Sequence, residues 1–153
     1  MGLDQYLYAE KYYSPYNKTD KRYEDFNKIV ELVEATDIIE PDYPSALVRV
    51  KVAQWRKANQ IHKWFVDACQ GGEDDCRDAY VELSSLQSLK EVCKQVVENP
   101  SIAEDYLPTQ SGFFFGGEEY DEYYLEQLQD TISVIEKLEA MGNEWSFVYS
   151  SSW

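Results

Sequence analysis

The 153-residue chain is predicted to form a single α+β domain over residues 1–153, in which a small mixed β-sheet packs against about four helices. Two patterns support this class. Apolar residues recur at the spacing of amphipathic helices in several segments, whereas segments 3–9 and 46–54 alternate as half-buried strands do. The expected order of elements is roughly βαβαβααβ.

The first two predicted elements are a strand and a helix. Segment 3–9 is rich in β-forming residues, and a polar loop then offers Thr19 as the N-cap of a helix over 20–35. Pro41 and Pro44 lie beyond this helix and prevent it from continuing.

The next two elements are predicted to follow each other without a loop. In segment 46–54, three valines alternate with Leu, Arg, Lys and Ala, which predicts a strand with one buried face. A helix over 55–69 follows at once, and Gly71 and Gly72 end it.

The second half of the chain is predicted to hold two strands and two helices. Ser84 and Gln87 have the spacing of a capping box at the start of the first of these helices. A polar and aromatic loop separates it from the longest helix of the chain. The predicted elements are strand 79–83, a helix from Ser84 to Asn99, helix 119–141 and a closing strand at 143–153.

Charge is unevenly distributed along the chain. The formal net charge is -15, yet residues 43–66 contain no acidic residue. This basic segment holds five cations and the only histidine: Arg49, Lys51, Arg56, Lys57, Lys63 and His62. A compact anionic ligand would explain such segregation. The sequence pI of about 4.3 argues against direct binding to nucleic acid or to an anionic membrane.

A helical wheel over 55–69 suggests how the basic segment would meet a ligand. Ala58, Ile61 and Phe65 occupy the centre of the buried face, and one shoulder of the helix carries polar groups. Arg56 would lie in the first turn, where free backbone N–H groups favour phosphate. The shoulder residues are Trp55, Arg56, Asn59, His62 and Lys63. The alternative is structural, since lysine and arginine stems commonly cover apolar surface and a lone histidine commonly packs in the core.

The loop over 108–117, with sequence PTQSGFFFGG, is the second candidate binding element. Thr109, Gln110 and Ser111 offer neutral hydrogen bonds to a base or ribose, while Phe113 and Tyr120 offer rings for stacking. The loop is not a P-loop, because GxxxxGK[ST] is absent. The alternative is a loop whose phenylalanines fill the core.

A third feature is the acidic stretch over 95–136, which holds ten carboxylates and no basic residue. Such a surface can imitate the phosphates of a nucleic acid and occupy a DNA-binding protein. The alternative is an ordinary solvated helix face.

Other chemistry is weakly represented. Cys69, Cys76 and Cys93 suit reduced thiols better than a disulfide framework, and one histidine leaves no plausible zinc motif, so no metal and no cofactor are expected. The N-terminus lacks a signal sequence, and no segment suits a membrane span, which favours the cytosol. The tyrosine content is compatible with a partner interface or a homo-oligomer. An enzymatic hypothesis would make His62 a general acid or base acting with a carboxylate such as Asp121.

Several blocks carry a resemblance that spans most of the chain: MGLDQYLYAEKYY, WRKAN-x-IH-x-WF, PTQSGFFFG and WSFVYSSSW. They resemble a widespread family of small proteins encoded in tailed bacteriophage genomes. The resemblance implies a dispensable phage gene product acting in the cytoplasm of an infected bacterium, where accessory proteins often counter host defence. Phage proteins of that kind include sponges for cyclic or ADP-ribose-type nucleotide signals, and acidic DNA mimics.

The leading hypothesis is therefore a non-catalytic binder of a small phosphorylated nucleotide-like molecule. In it, Arg56, Lys57 and Lys63 neutralise phosphate. The runner-up is an inhibitor that contacts a host protein through the acidic 118–136 surface. The first hypothesis uses the basic segment, and the second ignores it.

Overall fold

The structure, a computed structural model, describes residues 2–16 and 21–153. Thr19, the predicted N-cap, lies outside these residues. The described part contains four strands, five α-helices and one short 3-10 helix. They are β1 (Asp4–Tyr13), α1 (Lys21–Leu32), β2 (Ala46–Arg56), α2 (Asn59–Cys69), β3 (Ala79–Val81), α3 (Leu83–Glu98), the 3-10 helix (Pro100–Ile102), α4 (Ala103–Tyr106), α5 (Glu122–Glu139) and β4 (Ser146–Ser152). The predicted α+β class is confirmed, and the elements follow the predicted order except that the 3-10 helix and α4 are added between α3 and α5. None of the described helices is both long enough and apolar enough to cross a membrane.

The strands form one sheet in the order β2-β1-β4-β3. The first and last strands of the chain are thus its central pair, and β3 pairs antiparallel with β4 so that Ala79 faces Tyr149 and Val81 faces Phe147. The sheet is antiparallel rather than mixed as predicted. Alternation along a strand indicates which face is buried but carries no information on the direction of the neighbouring strand. The alternating pattern therefore could not predict whether the sheet is antiparallel or mixed.

Within this domain, two groups of residues each pack mainly among themselves. The larger group combines Met1–Ala9 with Lys51–Trp153 and contains the main hydrophobic core. Helices α2, α3 and α5 and all four strands contribute to this core, where the ring of Phe65 stacks on that of Tyr149 at a centroid distance of 4.0 Å. Its central members include Leu7, Trp55, Ile61, Phe65, Leu89, Cys93, Leu128, Ile135, Phe147 and Tyr149.

The smaller group is Glu10–Val50. Helix α1 buries Phe26 and Val30 there. The backbone N–H of Ala35 donates to the carbonyl of Val30 at 3.0 Å and that of Glu34 donates to Glu31 at 3.1 Å. This pattern is a Schellman motif with Glu34 in the left-handed position, at φ 56°.

Several predicted boundaries are wrong. Trp55 and Arg56 belong to β2 and not to the following helix, because β2 runs on to Arg56 and the Lys57 N–H then donates to the Leu3 carbonyl at 2.8 Å. The valine face of β2 is only partly buried, with Val48 and Val52 half-buried, and the buried side chains of the strand lie on the other face near its end. Val50 is exposed, whereas Ala53 and Trp55 on the opposite face enter the core.

The predicted capping box is also absent. Helix α3 begins at Leu83 after Glu82, and no side-chain hydrogen bond caps it. Helix α5 starts at Glu122, later than predicted, because Asp121 caps it by accepting the Tyr124 N–H at 3.0 Å. A polar residue at capping-box spacing therefore does not by itself determine where a helix begins.

Candidate functional site

Asn59, the first residue of α2, holds the loop over 108–117 in place. Its Oδ1 accepts the backbone N–H of Gln110 at 2.9 Å, and its Nδ2 donates to the carbonyls of Gly117 at 2.9 Å and Phe115 at 3.3 Å. The side chain is buried. The basic segment and the loop therefore meet in space, and the polar atoms of Asn59 are all used in joining them.

The same junction fixes the backbone at Lys57, whose φ of 57° is unusual for a residue with a side chain. A Cβ placed on Gly116 would lie 2.9 Å from Lys57 Cβ and 3.0 Å from its carbonyl oxygen. Gly116 also has a φ of 100°. Only glycine suits this position, since the loop backbone passes directly over Lys57.

A cleft of about 230 Å³ opens beside this junction. Of the predicted ligand-binding residues, Lys57 and Thr109 line it. Its other lining residues are Gln60, Gly116, Gly117, Glu119, Asp121, Tyr123, Tyr124 and Gln127. The cleft thus combines one ammonium group with two carboxylates, which is a poor environment for several phosphates.

Sequence reasoning missed most of this lining. Gln60 Nε2 donates to Gln127 Oε1 at 2.8 Å, and this bond joins α2 to α5 across the floor of the cleft. Nothing in the spacing of Gln60 and Gln127 along the chain signals that contact. Asp121 was predicted to belong to the acidic stretch and was named as an example of a partner for His62; in the structure it caps α5.

Trp55 lies in the core rather than at a ligand surface. Its Nε1 donates to Thr131 Oγ1 at 2.9 Å, and its ring lies 5.9 Å from that of Phe65. The indole N–H is therefore satisfied by helix α5, as a buried tryptophan requires.

His62 is fully buried between two polar partners. Its Nε2 lies 2.8 Å from Asp74 Oδ2, and its Nδ1 lies 2.7 Å from the Tyr149 hydroxyl. In a neutral imidazole beside an ionised carboxylate, Nε2 would donate to Asp74 and Nδ1 would accept from the Tyr149 hydroxyl. Asp74 in turn accepts from Trp153 Nε1 at 3.0 Å. The enzymatic hypothesis named Asp121 as an example of a carboxylate partner for His62, whereas the carboxylate beside the imidazole belongs to Asp74.

Most cations of the basic segment have local partners. Arg49 donates to Glu10 at 2.5 Å, Lys63 lies 2.7 Å from Asp67, and Arg56 lies 3.9 Å from Asp4. Lys51 donates to Gln54 at 2.9 Å. Lys57 forms no ion pair within the described ranges. The segment is basic along the chain, but in the fold the carboxylates of other segments offset much of its charge.

The polar end of the loop is bonded to its own flanks. Thr109 donates through its N–H to the Tyr120 hydroxyl at 3.2 Å and through Oγ1 to the Glu118 carbonyl at 3.1 Å. Ser111 and Phe113 are exposed, and the buried phenylalanine is Phe115, which packs edge-on against His62 at 5.5 Å. The alternative prediction, a phenylalanine filling the core, thus holds for Phe115.

The most distinctive charged surface lies on α5 and the residues just before it. Glu122, Glu126 and Asp130 recur every four residues and form an exposed row. We call this surface the acidic face, with members Glu118, Glu119, Tyr120, Glu122, Tyr123, Glu126 and Asp130. Its carboxylates make no ion pair within 4.0 Å among the described residues. Farther along α5, Glu136 pairs with Lys94 at 3.2 Å and Glu139 pairs with Lys90 at 2.8 Å.

Two cations border the acidic face. Lys57 lines the cleft next to Glu119, and Arg56 shares a depression of about 160 Å³ with Tyr123, Glu126 and Asp130. Five carboxylates against two cations leave this surface negative. Tyr123 is also exposed there and adds flat apolar area with a hydroxyl group.

Comparison of the chain with protein-family models, characterised proteins and solved structures finds no match. Within the described residues, no group of three or more His, Cys, Asp or Glu side chains is arranged to hold a metal ion.

Proposed function

We propose that the chain is a non-catalytic binding protein whose acidic face engages a positively charged surface of a protein partner. The observation that carries this proposal is the contrast in ion pairing. The acidic face has no ion pair among the described residues, while three of the five cations of the basic segment, Arg49, Arg56 and Lys63, pair with carboxylates. The electrostatic potential that a partner would meet at this surface is accordingly negative.

The arrangement of the acidic face suits a partner that ordinarily binds phosphates. Carboxylates at i and i+4 are about 6 Å apart on a helix, so α5 presents a row of negative charges on a rigid support. Tyr120 and Tyr123 supply the aromatic area typical of interface centres. A basic, nucleic-acid-binding protein is the partner class that matches this chemistry. The phage resemblance points to such a protein in the cytoplasm of an infected bacterium.

The proposal is tested by charge reversal. Immobilised protein is incubated with bacterial lysate, and bound proteins are eluted with a DNA duplex. We expect basic proteins in the eluate, and we expect their loss when Glu118, Glu119, Glu122 and Glu126 are changed to lysine. The matched control reverses four exposed carboxylates on other elements: Glu24, Glu91, Glu98 and Glu104. Equal retention by both variants, or no elution by the duplex, refutes the proposal.

A second candidate function is sequestration of a small phosphorylated nucleotide-like molecule. It is favoured by one observation, that Lys57 and Thr109 line the same cleft with Tyr123. Thermal-shift titration with cyclic dinucleotides and ADP-ribose tests it. Binding that Lys57→Ala weakens by about 1.5–3 kcal/mol, with the molecule recovered chemically unchanged, supports sequestration. Absence of any shift across this panel rejects it.

A further inference from the structure

An apolar groove of about 440 Å³ lies within residues 10–50 and belongs to neither candidate function. Its walls come from the last turns of α1 and from the segment that leads into β2. The apolar residues that matter here are Ile29, Val33, Ile38, Ile39, Tyr43 and Leu47.

Several of these side chains are unusually exposed for their size. Ile38 is 83% exposed and Tyr43 is 78% exposed, and Val33 and Leu47 are also exposed. Contiguous apolar surface of this kind on a soluble chain marks an interaction site, since its burial in a complex removes it from water.

Backbone hydrogen bonds present these side chains in a defined way. The Schellman motif ends α1, and the Ile38 N–H then donates to the Ala35 carbonyl at 3.1 Å. Farther on, the Tyr16 hydroxyl donates to the Asp42 carbonyl at 2.8 Å, and the Tyr43 N–H donates to the Glu40 carboxylate. The segment that forms the groove is thus held in place by hydrogen bonds.

The groove is bordered by carboxylates. Five exposed acidic residues lie on or beside the segment that forms it, and none of them makes an ion pair among the described residues: Glu31, Glu34, Asp37, Glu40 and Asp42. The described cations of the same part of the chain all have partners. Lys21 and Lys28 pair with Asp25, and Arg49 bonds to Glu10.

We propose that this groove docks a basic amphipathic helix of a partner protein. Leucine-like side chains at i, i+3 and i+4 would fill the groove, and lysines or arginines beside them would face the acidic border. Charge complementarity selects this occupant. A second copy of the chain would place the five carboxylates against their own equivalents, which is unfavourable.

The experiment uses the full chain and a fluorescent synthetic peptide of about 18 residues, or about five helical turns, with leucine at helical spacing and lysine elsewhere. Matched peptides replace lysine by glutamate, or keep the composition but alternate leucine and lysine. Anisotropy titration should show binding of the helical Leu/Lys peptide alone, weakening as salt is raised.

Two variants of the protein locate the site. Ile38→Ser should weaken peptide binding about tenfold or more, because it removes most of the apolar burial of one isoleucine. Leu32→Ser is the matched control: Leu32 is also 83% exposed, yet it does not line the groove, so affinity should stay within about twofold. Asp37→Lys should also weaken binding, whereas Glu24→Lys should not.

The following outcomes would overturn the proposal. They are equal binding of the glutamate peptide, preference for the alternating peptide, equal losses in Ile38→Ser and Leu32→Ser, and a dimer in sedimentation that Ile38→Ser dissociates. Binding must also persist when the carboxylates of the acidic face are reversed. Loss of binding there, with no loss in Ile38→Ser, would assign the peptide to the acidic face and reject the groove.

Discussion

Asn59 illustrates how one side chain organises the region of the candidate cleft. Its amide replaces the backbone partners that the loop lacks, since residues 108–117 form no strand or helix. Three loop groups depend on it: one N–H and two carbonyls. The residue predicted to bind a ligand is therefore the one that positions the loop beside Lys57.

Replacing Asn59 by alanine should lower the free energy of unfolding by about 2–3 kcal/mol. The change leaves the N–H of Gln110 and the carbonyls of Phe115 and Gly117 without their partner. Urea denaturation measures it. Lys63→Ala on the same helix serves as a control and should change stability by less than about 0.5 kcal/mol, because its pair with Asp67 is exposed. Equal effects of the two changes would contradict the role of Asn59 in holding the loop.

The buried thiol of Cys93 lowers the stability of the fold at alkaline pH. Burial raises the pKa of this thiol from 9.0 to about 12, and burial also raises the pKa values of Tyr124 and Tyr149. The folded state therefore keeps protons that the unfolded state releases. The stabilisation is complete below about pH 9 and is lost as pH rises from there toward about 12.

The expected result is a melting temperature that falls between about pH 9 and pH 11, with about 1–3 kcal/mol of stability lost through Cys93. Calorimetry or fluorescence melting measures it. In Cys93→Ala the protein starts less stable, but the decline with pH should be shallower. A melting temperature that stays constant over this range would show that these groups are not buried as described.

At the scale of elements, the end of α1 carries a residue poorly suited to its conformation. Glu34 occupies the left-handed position of a Schellman motif, where glycine is strongly preferred. Its carboxylate also lies at the negative end of the helix dipole. This helix end sets the position of Val33 and of the segment that forms the apolar groove.

Glu34→Gly should raise the free energy of unfolding by about 1 kcal/mol, because it removes both the backbone strain and the unfavourable charge. Glu31→Gly is the contrasting change: the same two residue types exchange inside α1, where φ is helical, and stability should fall by about 1 kcal/mol. Chemical denaturation of both variants gives the comparison. A loss of stability in Glu34→Gly would argue against the left-handed conformation.

At the scale of the molecule, net charge is the dominant feature. A formal charge of -15 on 153 residues destabilises the compact state through repulsion. The Debye length falls from about 30 Å at 0.01 M salt to about 8 Å at 0.15 M. Raising the salt over this range should therefore stabilise the protein, even though it weakens individual ion pairs such as Lys63–Asp67.

The urea midpoint at the two salt concentrations measures this effect. The variant with four lysines on the acidic face carries about half the net charge, so its salt dependence should be clearly smaller. A midpoint that falls with salt in the wild-type protein would mean that local pairs outweigh the overall repulsion.

Prediction from sequence succeeded where a property depends on neighbours along the chain. The apolar spacing of α3 and α5 and the stop at Asn99-Pro100 are local, and these elements were found at nearly the right positions. The end of β2 was predicted wrongly, because Trp55 and Arg56 stay in the strand through pairing that ends at Leu3. Pairing between distant segments overrides local helix preference.

The properties of the candidate site likewise separate into those that the sequence predicted and those that only the tertiary structure decided. Sequence alone determined the class of fold, the order of its elements, the strong negative charge and the two segments that the structure brings together through Asn59. Tertiary structure decided what those segments do there. It buried Trp55 and His62, paired Arg56 with Asp4, and left Glu122, Glu126 and Asp130 of α5 in solvent. Charge along a chain is a sum over neighbours in sequence, whereas recognition depends on the charges left unpaired in space.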